Sequence, residues 1–417
     1  MARMLRWMAP VSVGLLALAA SLTPRGARAE EQEAGAELHL GAGSCAAQAC
    51  HGGASEARQE YKIWATRDRH SRAYEVLTGR LGRRIGSRLG LEPTGAPECL
   101  SCHGTTGVET AATFDPGDGV SCELCHGGAQ KWLGAHVSPA WRKLTPAAKA
   151  DRGFRDLTTP AKRAEACVGC HVAGKDRSIT HAIMAAGHPP LVFDAARFLD
   201  AMPPHWTDEE DLRVATWVEG LKANAAAVLD HVERTAKDGA PDFAVFDCYS
   251  CHHPIYSGSV YETSDPPGRP GDLPLQLSSL EVLLVAAGDE ALLRRFDGIL
   301  SHTYAPGDPT KGLARYAGEA AADVRRLFPD AAKYGREHAA KFLENLDAHL
   351  ERVAAGQTRT PRAEMQQIAL AIHSLAPRRE EAFRRAYAEL DRGLQRNAPY
   401  DPAACALTAR AVIAAAR

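Results

Sequence analysis

The sequence predicts a mainly α protein with little or no sheet. Its first part is expected to wrap helices and loops round something other than its own side chains, and a C-terminal helical bundle is expected to follow. Three observations lead there. The first part is rich in Gly and Pro and poor in aromatic and β-branched residues, so it is short of core-forming side chains for its length. Past residue 275 the chain turns Ala/Arg/Glu/Leu-rich with helical periodicity. Between those ends, ten of the eleven cysteines fall into five pairs, each closed by Cys-His.

The chain starts with an export address. Arg3 and Arg6 form a basic start, Val11 to Leu22 an apolar core, and Ala27-Arg28-Ala29 a small-x-small cleavage signal, so residues 1–29 are expected to be a signal peptide. The apolar run is too short, and is ended too soon by Pro24-Arg25-Gly26, to make a confident membrane span; an uncleaved N-terminal anchor is the alternative. Cleavage removes four arginines and no acid, which moves the formal charge from −2 to −6. A mildly acidic chain without a basic tract is a poor nucleic-acid binder. Proteins or small molecules are the expected partners, in the periplasm or another exported location, with no stable membrane span after cleavage.

Four cysteine pairs are strict C-x-x-C-H: Cys99-Cys102-His103, Cys122-Cys125-His126, Cys167-Cys170-His171 and Cys248-Cys251-His252. In the remaining pair, Cys45 and Cys50 are separated by four residues before His51. Two thiols at this spacing form thioethers to the vinyl groups of a haem, and the adjacent histidine reaches the iron as proximal ligand. Disulfides or zinc also use paired cysteines. Neither explains a histidine after the second cysteine in all five cases, so five c-type haems, with their iron, are expected. Cys405 stands alone in an Ala-rich segment and reads as a small buried apolar residue.

Twelve further histidines decide what lies opposite each iron. Two strong axial ligands suit electron transfer, whereas an open face admits a substrate. His70 sits in an expected helical segment, Tyr61 to Leu77, on one stripe with Ile63, Tyr74 and Leu77. His136 lies ten residues past the third motif. His181 and His188 are two helical turns apart, so one element could serve two haems, with Gly187 ending the helix and Pro189 fixing the chain after it. His205 precedes Thr207-Asp208-Glu209-Glu210, a capping box that would pin it at a helix entrance. These five are the expected distal ligands. His39 and His302 are reserves. His253, crowded against His252, His231, on the long helix expected from Thr207, and the isolated His338, His349 and His373 read as surface or core histidines.

An N-terminal Cys-Cys-His motif followed by Trp64 to His70, an isolated motif at Cys99, the run Gly119-Val120-Ser121-Cys122-Glu123-Leu124-Cys125-His126-Gly127 with His136 downstream, and a fourth motif at Cys167 form an ordered set over roughly residues 40 to 175. In this the chain resembles the multihaem cytochromes grouped with cytochrome c-554. The resemblance implies a helical protein wound round haems packed in parallel and perpendicular pairs, passing electrons between redox partners. It also implies an open iron at Cys99-Cys102-His103, because the corresponding haem of the named member lacks a sixth ligand. The fifth motif, the Ala186-Gly187-His188-Pro189 segment and the long C-terminal region depart from the tetrahaem pattern, as in an extended pentahaem relative.

The expected organisation is a pentahaem cytochrome c domain over 30–254, a Ser/Gly/Pro/Asp-rich linker over 255–275, and a helical domain over 276–417. Phe342, Leu346, Leu350 and Val353 form one apolar stripe; Gly356 stops that helix and Thr360-Pro361 opens the next. Five or six helices are expected there, in an antiparallel bundle that packs on the haem domain or supports an oligomer or complex. The expected function is electron transfer between redox partner proteins, leaning away from an enzyme. A reductase or oxidase of a small nitrogen or sulfur compound at one open haem is the alternative. The chain has no Cys-x-x-Cys-Lys motif, so the lysine-ligated site of pentahaem nitrite reductases is absent.

Overall fold

A computed structural model describes residues 38–54, 58–175, 177–206, 212–239, 241–248, 251–252, 273–300, 303–304, 310–358, 360–377, 379–395 and 400–417. The signal segment, the capping box at Thr207, nearly all of the expected linker, His253 and His302 lie outside the described residues. The described chain is mainly α with little sheet.

In the first region the helices are short, and three of them start where a cap and a proline coincide. They are α1 (Glu60–Arg67), α2 (Glu75–Thr78), α3 (Arg80–Leu89), α4 (Pro97–His103), α5 (Cys122–His126), α6 (Pro139–Arg142), α7 (Pro146–Ala150), α8 (Pro160–His171), α9 (His181–Ala185) and α10 (Ala195–Ala201). Ser138, Thr145 and Thr159 each accept a backbone N–H of the first turn, with a proline next in sequence. Two-residue strands β1 (Ala173–Gly174) and β2 (Arg177–Ser178) pair antiparallel. The apolar clusters are small: Ala129, Trp132 and Trp141 form one, Val168, Phe193, Ala195 and Ala227 another.

Two local expectations change. The segment around His70 is not one helix: α1 ends at Arg67, Asp68 is extended, and a 3-10 turn follows over Arg69–Arg72. The Asp68 carboxylate accepts from the His70 N–H and so competes with helix continuation. His181 and His188 do not share a helix either, because α9 stops at Ala185 and Gly187 takes a φ of 120°.

The long helix α11 (Arg213–Asp238) is the spine of the described chain. At about 1.5 Å per residue it runs roughly 40 Å. Beyond it lie α12 (Ser278–Ala287), α13 (Glu290–Leu300), α14 (Thr310–Arg325), α15 (Arg336–Ala354), α16 (Arg362–Leu375), α17 (Glu381–Gly393) and α18 (Pro402–Ala416). That is seven described helices where five or six were expected; Gly288 in the left-handed conformation splits α12 from α13 after only ten residues. Strands β3 (Leu273–Pro274) and β4 (Thr303–Tyr304) pair across α12 and α13.

Helix α11 is buried on several sides. Its N-terminal half places Trp217, Val218 and Leu221 among Val282, Leu283, Leu346, Met365 and Ile368, and its C-terminal half places Leu229 and Val232 among Leu280, Phe296, Ala317 and Val324. Gly220 lets α10 close in, since a Cβ there would lie 2.5 Å from that of Ala195. Polar bonds also tie α10 to α16: Ser374 donates to Asp194 at 2.8 Å, and Arg213 and Arg379 both reach Asp200. Cys405 is buried in the same core, as a small apolar residue would be. Among the described residues no helix is long and apolar enough to cross a membrane.

Candidate functional site

The histidine of every Cys-His motif faces one further histidine ring. His51 and His136 have ring centres 6.3 Å apart, His126 and His205 6.0 Å, His171 and His70 6.0 Å, His103 and His188 6.2 Å, and His252 and His181 6.1 Å. The five partners are the five histidines singled out from the sequence, used once each. None pairs with the motif nearest before it. His136 meets His51 rather than His126, and His70 meets His171, a hundred residues further on.

The spacing is chemically specific. A first-row metal lies about 2 Å from an imidazole nitrogen, and a ring centre lies about 1 Å behind that nitrogen, so two axial imidazoles put their centres about 6 Å apart. Among the described residues no three His, Cys, Asp or Glu side chains converge as a protein-only metal cage requires. All eleven thiols are free of disulfides, which leaves each motif pair available for thioethers. Beside the Cys248/Cys251 motif a cleft is lined by Cys248, Ile179, Met184, Leu191, Val228 and His231. The donor set and this largely apolar lining fit covalently held haem.

The outer nitrogens are also set for ligation. Nδ1 of His136 donates to the Leu133 carbonyl at 2.5 Å, that of His103 to the Ala73 carbonyl at 3.0 Å, and that of His188 to the Pro189 carbonyl at 2.7 Å. A carbonyl can only accept, so each ring carries its proton on Nδ1 and keeps the Nε2 lone pair for a metal. His51 and His70 use carboxylates instead, Glu60 and Asp68, each at 2.9 Å. The Asp68 bond raises the His70 pKa, whereas burial pushes His126 and His171 down to about 4, which keeps those two rings neutral as metal binding requires.

Second-layer contacts decide which loops meet. Glu123, between the cysteines of the third motif, is buried, and its carboxylate accepts from the N–H groups of Leu40, Gly41 and Ala129 at 2.7 to 2.9 Å. It therefore holds the first motif against the third, and Cys45 and Cys122 lie side by side there. Sequence reasoning noted Glu123 only as part of a motif; an acid between two cysteines of an apolar motif was the available signal. Cys102 and Cys170 are neighbours likewise, with Cys170 Sγ 3.9 Å from the Ser101 carbonyl, where the second motif meets the fourth. Gly119 has a φ of 63°, and a Cβ there would lie 2.7 Å from the His70 carbonyl, which accepts from Val120 N–H at 3.0 Å. Trp64 donates to the Val120 carbonyl at 3.0 Å. Arg163, itself buried, lays its guanidinium 4.4 Å from the Trp206 ring centre and steadies the segment carrying His205. Asp242 accepts from the His181 N–H at 2.7 Å.

The remaining histidines sit elsewhere. His39 is buried at a bridge to Thr110, and His231 borders the cleft beside Cys248. His338 stacks on Tyr334, His349 lies beside Thr360 and Glu364, and His373 packs on Phe383 and Tyr387.

Residues 44–127 match the family model described as cytochrome c554 and c-prime. No curated protein and no solved structure matches the chain. The match and the facing histidines fit the class of c-type cytochromes, whose members bind haem iron covalently and carry electrons. Over the matched stretch the chain resembles the cytochrome c-554 family, whose members are typically exported.

Proposed function

We propose that this is a periplasmic electron carrier with five covalent haems and two histidines on every iron. Cys45/Cys50, Cys99/Cys102, Cys122/Cys125, Cys167/Cys170 and Cys248/Cys251 are the attachment points. His51, His103, His126, His171 and His252 are the proximal ligands, matched in that order by His136, His188, His205, His70 and His181. The observation that carries the reading is the five facing pairs at 6.0 to 6.3 Å. In this reading residues 1–29 are the export signal, 30–254 the haem domain, 255–275 a linker and 276–417 the helical domain.

Bound haem supplies reversible one-electron chemistry at iron, with a potential set by axial ligand, burial and hydrogen bonding. The chain contributes orientation and exclusion. Nδ1 bonds to Leu133, Ala73 and Pro189 hold three rings in one tautomer. Phe193 and Phe198 cover His171, and Trp132 covers His136, which keeps water from those ligands. His188, in the segment that departs from the tetrahaem pattern, faces His103, where the resemblance implies an open iron. That pairing favours electron transfer over substrate chemistry.

Reduced protein should therefore bind almost no carbon monoxide, and His188→Ala should bind about one molecule per chain with the other haems unchanged by absorption and electron paramagnetic resonance. Stoichiometric binding by the unaltered protein would sink the fully closed reading. Acid-resistant haem, quantified against protein, should come to five per chain.

A further inference from the structure

Between residues 67 and 88 an otherwise acidic chain carries seven arginines, no lysine and two acids. Arg67, Arg69, Arg72, Arg80, Arg83, Arg84 and Arg88 are all exposed. Asp68 is engaged with His70, and Glu75 meets Arg72 at 3.9 Å, so most of this positive charge is not neutralised locally. Val76 and Leu81, 52% and 43% exposed, stand among the arginines. A charged rim round a few apolar side chains is the composition of a transient protein interface.

Its place in the fold gives the patch a use. Helix α3 packs against α9, and the Arg88 guanidinium donates to the Ala186 carbonyl at 3.0 Å. A Cβ on Gly187 would lie 3.6 Å from Arg88 Nη1 and 3.7 Å from Arg84 Nη2. The next residue is His188, so the arginine face adjoins the His103–His188 pair. We infer that this face docks an acidic redox protein and that electrons are exchanged with it at that pair; the inference rests on the electron-carrier reading.

Charge complementarity selects the occupant. The arginines of α3, Arg80, Arg83, Arg84 and Arg88, carry planar guanidinium donors for carboxylates and attract an acidic surface over about one Debye length, ~10 Å at 0.1 M salt. A membrane surface is the less favoured occupant. An interfacial helix must offer its apolar face to lipid, whereas Ile85 is buried here and Gly86 lies against Pro93.

The test uses full-length holoprotein and two reductants of opposite charge, the hydroquinone of an acidic flavodoxin and reduced methyl viologen, in stopped flow. Reduction by flavodoxin should be fast at low ionic strength and fall as salt rises. R80E/R83E should slow it roughly tenfold or more at low salt, and R80Q/R83Q should fall between. Methyl viologen should reduce both variants at least as fast as the unaltered protein, which shows their haems intact. Flavodoxin rates that ignore salt and charge reversal would overturn the inference. So would a salt-sensitive dimer in sedimentation, or binding to anionic phospholipid vesicles, that R80E/R83E abolishes while the flavodoxin rate stays the same. Failure of both reductants to deliver electrons to the unaltered protein would overturn the electron-carrier reading instead.

Discussion

The two halves of the described chain are ordered by different means. Residues 38–206 hold short helices, small apolar clusters and four of the five facing histidine pairs, the fifth joining His181 to His252. From residue 212 onward, long helices bury Trp217, Leu221, Leu346, Met365, Ile368 and their neighbours in continuous leucine- and alanine-rich cores. The first region points donors at groups of another chemistry, and the second points methyl groups at one another. The lesson concerns what each region needs in order to fold. A stretch with so little apolar side chain relies on an added group for its core, whereas a stripe of buried leucines needs only water outside.

The largest test of that contrast removes haem attachment. Full-length chain produced where the cysteines stay unmodified should keep α11 to α18 protected in hydrogen exchange and lose protection across 38–206. Limited proteolysis should then leave a fragment beginning near residue 212. Equal protection in both regions would break the comparison.

The next effect comes from the shared helix. Trp217 is fully buried and packs on Phe342 with ring centres 5.4 Å apart. Trp217→Ala should cost about 3–5 kcal/mol by cavity formation, read as a lower denaturant midpoint for helix loss. If the haem region is ordered separately, its visible spectrum should persist past that midpoint. Coincident loss of both signals would show that α11 makes them one cooperative unit.

A smaller effect lies in the bundle's one strongly shifted acid. Glu364 is buried beside His349 Nε2, 3.4 Å away, and burial pushes its carboxyl up to about 8 from an ordinary 4.5. The folded state therefore keeps a proton that the unfolded state gives up earlier. Stability should fall as pH rises from 4.5 through about 8. Glu364→Gln should flatten that slope, match the unaltered protein below pH 4 and exceed it at pH 8. Denaturant titrations across this range check the sign, and a slope that survives the substitution would assign it to other groups.

Much of the chemistry was legible before any coordinates. Closely spaced cysteines followed by a histidine read as an attachment signature by local spacing alone, and the five facing histidines stood out because each lay among apolar residues, glycine or proline in the motif-bearing part. The helical stripe from Phe342 to Val353 and the buried Cys405 were legible for a similar reason, since periodicity reports burial directly. Local readings failed where a side chain competed with the backbone. The Asp68 carboxylate broke the helix expected round His70.

The sequence by itself determined the attachment signatures, because such a signature needs only residues close together in the chain. Only the tertiary structure decided which histidine faces which. His136 turns to His51 and His205 to His126 because Glu123, Gly119 and Arg163 bring loops together that are distant in the chain. Axial pairing is a contact between surfaces, and sequence separation carries no information about it. The same holds for the face beside His188: the arginines are plain in the sequence, but their place against that histidine follows from the packing of α3 on α9.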